Sequence, residues 1–121
     1  MVAYDTKGKV QVGEAAKNLS KRVPDKCFYD ARRFIGKKET DADYYKIKDR
    51  EASWPFRIGI HARTKKLTYI WKDKTGVEKH ERPEYVTKYV LEKLREAAKK
   101  YDGIDNARRC VVTIPAYFSE A

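Results

Sequence analysis

Nothing in this sequence approaches the roughly 20 apolar residues that a membrane-spanning helix needs. No hydrophobic stretch follows Met1, which argues against a secretory leader. Cysteine is scarce: Cys27 and Cys110 are the only two, too few for a disulfide framework, and they fit a reducing compartment such as the cytoplasm. Histidine is equally scarce, and His61 and His80 share no CxxC or HxxxH spacing with each other or with the thiols. A zinc site is therefore not expected, and no metal ligand is assigned. No base is placed beside either cysteine for nucleophilic catalysis. Acidic charge is also in deficit, with 28 Lys+Arg against 18 Asp+Glu, for a net charge of +10.

What is present suffices for one folded unit. The chain has 121 residues, of which 41% are hydrophobic and 12% aromatic, enough for one core despite 38% charged side chains. The positive charge is uneven: residues 55–82 carry 8 basic and 3 acidic side chains, while residues 83–121 carry 7 and 6. Charge of this sign attracts nucleic acid, acidic lipid or a phosphorylated ligand, and does not choose among them.

Val10-Gln11-Val12 alternates and predicts a short strand ending at Gly13. Glu14 to Lys21 favours helix, with Pro24 as the stop. Cys27-Phe28-Tyr29 is a brief apolar stretch, followed by one or two helical turns over Asp30–Ile35, with Asp30 as N-cap and Gly36 at the end. A surface helix is expected around Asp43–Asp49. From Trp54 the period changes to two. Phe56, Ile58 and Ile60, then Leu67, Tyr69 and Trp71, alternate with polar or small residues, and a third strand starts at Val77 after an Asp73–Gly76 turn. These three strands predict an antiparallel meander with one apolar face. Aromatic rings interleaved with Lys and Arg suit a nucleic-acid platform, but here they fall on the inward positions, so core is the favoured reading.

Pro83 opens the clearest helix, with Val86, Val90, Leu94, Ala97 and Tyr101 at three- and four-residue steps and Gly103 as its stop. Cys110 to Ile114 (CVVTI) does not alternate, and predicts a strand covered on both faces. No other stretch has that character, so its sheet neighbours are expected to lie in sequence absent from this chain.

Four segments occur in one order: VGEAAKN (12–18), FYDARRFIG (28–36), WPF (54–56) and VVTIPAYF (111–118). Their order and spacing resemble the ATPase domain of the 70-kilodalton heat-shock chaperones, and PEYVTKYVLEKLREAAKKY resembles that family's long crossing helix. The resemblance implies a two-lobed, actin-like fold with nucleotide in the cleft. It assigns residues 1–82 to the upper subdomain of the first lobe, and residues 83–121 to the crossing helix and first strand of the lower subdomain. The family's Gly-rich phosphate loops and metal-directing aspartates have no counterpart here. Its catalytic lysine aligns with Arg32, its next basic residue with Arg33, and its switch proline with Pro115. The implied cofactor is ATP or ADP with Mg in the intact domain, with no tight binding to this chain alone. The implied partners are the remainder of the ATPase domain, nucleotide-exchange factors and other co-chaperones, with self-association through the terminal strand also available.

The expected fold class is α+β: an antiparallel meander with flanking helices, plus a long helix and one strand of an incomplete actin-like lobe. The expected function is one wall of an ATP cleft, not catalytic alone although the family hydrolyses ATP. The alternative is a stand-alone basic module that binds nucleic acid.

Overall fold

The computed structural model describes residues 1–102, 109–116 and 118. The chain opens on a hairpin of β1 (Val2–Tyr4) and β2 (Val10–Val12). Its turn is held by Asp5, whose carboxylate accepts the N–H groups of Lys7 and Lys9 at 2.9 Å each. Those bonds, first of all the one from Lys9, hold the Asp5 carboxyl below the usual range. Helix α1 (Glu14–Leu19) follows, then a 3₁₀ turn at Pro24–Lys26 and β3 (Cys27–Phe28). The strands assemble in the order β2-β1-β3, with both pairs antiparallel. Only part of this sheet is legible as a pattern: Val10–Val12 is the strand that the alternation predicts, whereas Val2, Ala3 and Tyr4 are all buried and so do not alternate.

After a 3₁₀ turn at Ala31–Arg33 come α2 (Tyr44–Asp49) and another such turn at Glu51–Ser53. The expected meander is present as β4 (Arg57–Ile60), β5 (Leu67–Lys72) and β6 (Glu78–Glu81), in that spatial order. Ile58 faces Tyr69 and Ile60 faces Leu67 across the ladder, so the inward set is the one the alternation gives. The expectation of a single covered face needs correcting, since Thr68 and Ile70 are buried as well. Ile70 lies over Gly59. A Cβ on Gly59 would sit 2.3 Å from Ile70 Cδ1, so the missing side chain is what admits the isoleucine. Thr68 bonds the Gly59 carbonyl at 3.3 Å and meets His80 Nδ1 at 3.1 Å. Gly59→Ala should cost about 1–3 kcal/mol through overpacking. Adding Ile70→Val should recover part of that loss in a urea double-mutant cycle; strict additivity would show that Ile70 is not the clash.

The core lies between the sheets and is largely aromatic. Phe28 and Phe34 each meet Phe56 and Tyr69, with Phe28–Tyr69 centroids at 4.8 Å and Phe56–Tyr69 at 5.0 Å. Tyr4 stacks on Trp71 at 4.5 Å and gives its hydroxyl hydrogen to the buried Glu81 carboxylate.

Helix α3 (Pro83–Asp102) is the longest element, about 30 Å at 1.5 Å per residue. Its apolar stripe is only partly used. Val86 is buried and Val90 packs on the core, but Leu94 and Tyr101 are 61% and 91% exposed. The expected stop at Gly103 lies outside the described residues. The strand expected at Cys110–Ile114 is not formed: these residues pair with no ladder, and Val111, Val112 and Ile114 are 95%, 60% and 69% exposed. The physical reason is that a β-segment is stabilised by its neighbours, and no described strand of its own chain pairs with it. The observed class is thus mixed α and β, with two small antiparallel sheets and one long helix.

Candidate functional site

The FYDARRFIG segment is a short rigid turn with both arginines on its outer side. Tyr69 donates its hydroxyl hydrogen to the Tyr29 carbonyl at 2.7 Å, which ties the start of the turn to β5. Burial, and then the nearby Asp30 carboxylate, push the Tyr69 phenol well above the ordinary tyrosine range, so it stays a donor. At the other end Phe34 is buried edge-to-face against Trp54 at 4.9 Å and Tyr69 at 5.3 Å. Between these anchors Asp30 adopts φ 57°, a left-handed conformation that Asp tolerates better than most residues. Asp30 is therefore not the side-chain N-cap that its position suggests. Its carbonyl accepts the Arg33 N–H at 2.8 Å, and its carboxylate pairs with Arg33 Nε at 3.3 Å.

The two exposed arginines consequently differ. Arg33 is already neutralised by Asp30, whereas Arg32 has no ion pair among the described residues. A guanidinium on a fixed turn, free of a carboxylate, is a ready bidentate donor to phosphate. Pro115 lies elsewhere in the chain and is half-buried; its carbonyl accepts the Phe118 N–H at 3.1 Å. Phe118 lines a cavity of about 300 Å³ with Ile35, Gly36, Lys37 and Glu84. The tail thus reaches the residues just after the arginine turn, but no hydrogen bond joins Pro115 to Arg32 or Arg33 among the described residues.

Two contributors escaped sequence reasoning. The Asp30–Arg33 pair was available from its three-residue spacing. The Tyr69 anchor was not, since nothing local marks a bond across 40 residues. Among the described residues no group of three or more His, Cys, Asp or Glu side chains converges to hold a metal. Cys27 is buried, its thiol pointing at the Val23 carbonyl at 3.2 Å, while Cys110 is exposed. The meander offers no stacking platform for bases, because Phe56 and Tyr69 are buried and Trp71 is covered by Tyr4. No described helix is long and apolar enough to cross a membrane.

By class the chain is a small mixed α and β module that carries an unpaired, exposed arginine on an anchored turn. Comparison with known proteins gives that class a family. The Hsp70 protein family model matches residues 1–121, and the chain belongs to that family. It is 35% identical over 112 residues to heat shock 70 kDa protein 2 of Paracoccidioides lutzii, matching 91% of this chain and 16% of that protein. It is 34% identical over 111 residues to heat shock cognate 70 kDa protein 3 of Dictyostelium discoideum, again 16% of its length. The human putative heat shock 70 kDa protein 7 is 31% identical over 110 residues, 28% of its length. The chain thus spans about a sixth of the length of the first two relatives.

Proposed function

We propose that this chain forms one wall of the nucleotide cleft of a chaperone ATPase domain, with Arg32 contacting the phosphates of ATP or ADP. The observation that carries this reading is the unpaired Arg32 guanidinium on a turn anchored by Tyr69 and Phe34; the sequence resemblance aligns that position with the family's catalytic lysine. When bound, the nucleotide with its magnesium supplies the bond that is broken. This chain contributes a fixed positive charge, and its metal ligands come from elsewhere in the domain. Arg33 serves mainly to pin the turn through Asp30. Pro115 is the switch position, and the approach of Phe118 to Ile35–Lys37 suits a relay from the arginine turn. Residues 1–82 form the upper subdomain of an actin-like lobe, and residues 83–121 its crossing helix and first lower strand. The bare stripe of α3 from Leu91 onward and the unpaired Cys110–Ile114 fit that division. The partners are the rest of the ATPase domain, nucleotide-exchange factors and other co-chaperones. The compartment is the cytoplasm, where the two free thiols stay reduced.

Arginine presents a planar fork where the family has a compact ammonium, so phosphate is held but the attacking water is poorly placed. The test is a chimera in which residues 1–121 replace the matching stretch of a 70-kilodalton heat-shock protein. It should bind ATP, and Arg32→Lys should raise single-turnover hydrolysis about tenfold or more. No ATP binding by a folded chimera, or no rise with the lysine, would contradict the assignment.

A further inference from the structure

Strand β2 ends its sheet, and its outer side is open. The Gly13 N–H bonds the Met1 carbonyl and the Asp5 N–H bonds the Lys9 carbonyl, each at 3.0 Å. In an antiparallel ladder bonded pairs alternate, so Ala3 and Gln11 are the bonded pair between them. The N–H and C=O groups of Val10 and Val12 therefore point away from β1, and they meet no hydrogen-bond partner among the described residues. They open on a groove of about 740 Å³ whose far wall is the middle of α3, including Tyr89 and Glu92. Half-buried valines, an aromatic ring and a row of unpaired backbone groups are what an added strand takes up.

The same chain carries a strand-length segment without a sheet. Cys110–Ile114 is rich in β-branched residues, exposed, and in no ladder. In a strand, Cys110, Val112 and Ile114 would share one face, able to cover Val10, Val12 and Tyr89. Charge agrees as well. The groove rim carries Glu14, Glu92 and Glu96 against Lys9 and Lys93. The segment follows Arg108 and Arg109, with no acidic residue through Ala116. The giver and the receiver are kept apart within one molecule, because the tail at Phe118 sits by Ile35 and Glu84 at the start of α3, not by β2. A two-fold exchange lets each copy give one segment and receive one.

We propose that the free edge of β2 receives the Cys110–Ile114 segment of a second copy of this chain as an added strand. This pairing does not rest on the nucleotide reading, and it is tested on the 121-residue chain itself. Sedimentation equilibrium under reducing conditions should show a monomer–dimer equilibrium. Successive N–H groups of a strand point to opposite sides, so Val111→Pro or Val112→Pro, made separately, must remove one that faces β2. At least one variant should weaken the dimer about tenfold or more. Both sites are exposed, so circular dichroism should show each variant folded. Hydrogen exchange should show the Val10 and Val12 amides gaining protection with concentration in the natural chain, and not in the weakened variant. A monomer at every concentration overturns the proposal. So does a dimer indifferent to both prolines, one whose protection falls on Leu91 and Leu94 instead, or protection of Val10 and Val12 in the monomer.

Discussion

Phe34→Ala is expected to remove about 3–5 kcal/mol of stability, the range for deleting a buried aromatic ring from a packed core. The ring is fully enclosed and meets Trp54, Phe56 and Tyr69 edge-to-face, at 4.9, 6.4 and 5.3 Å. Little can collapse into the space it leaves, because its neighbours are rigid rings pinned to β5 and to the Glu51–Ser53 turn. The same ring fixes the end of the arginine turn, so the variant should also loosen Arg32. Urea unfolding reads the first effect as a fall in midpoint with little change in slope. Leu94→Ala serves as the contrast: that side chain is 61% exposed, and the change should stay within about 0.5 kcal/mol. Equal losses at the two positions would mean that the core is not where the structure puts it.

Alkaline pH should destabilise this chain more steeply than its size suggests. Tyr4 and Tyr69 both have phenols pushed well above the ordinary value of 10.0, in each case chiefly by burial; for Tyr4 the bond to the Glu81 carboxylate adds to it. In the unfolded chain both phenols ionise near pH 10, while in the folded chain they stay neutral. The folded state then binds more protons than the unfolded one, so stability is intact below about pH 10 and falls as pH rises toward the folded values. Each tyrosine contributes about 1.4 kcal/mol per pH unit in that window, or about 3 kcal/mol per unit together. Urea midpoints at a series of pH values above 9 or so measure the slope. Tyr69→Phe should roughly halve it, at the cost of about 1 kcal/mol near neutrality for the lost bond to the Tyr29 carbonyl. An unchanged slope in that variant would show that the phenol is not shielded.

The elements with a strong period were legible. Val86 and Val90 announce α3, and Leu67, Tyr69 and Trp71 announce β5 with its inward face. Of the first sheet only β2 was, at Val10–Val12; β1 was not, because Val2–Tyr4 is only three residues long and wholly buried, leaving no alternation to read. Asp30 misled for a related reason: a cap residue and a left-handed residue are drawn from the same small set of amino acids, and only φ separates them. Cys110–Ile114 reads correctly as β-prone, yet propensity does not supply a neighbour, and no strand forms. At the candidate site, the family resemblance singled out the two arginines but not their inequality. That follows from where the Asp30 carboxylate points, which the turn decides.

The claim that most depends on this inequality is that Arg32, and not Arg33, meets the nucleotide phosphates. ATP affinity of the chimera, measured by isothermal titration for Arg32→Gln and Arg33→Gln, tests it directly. Loss of a charge-assisted contact of about 1.5–3 kcal/mol should weaken binding about tenfold or more in the Arg32 variant. The Arg33 variant, whose charge is already spent on Asp30, should lose only a fewfold. Equal losses, or a larger loss for Arg33, would contradict the account.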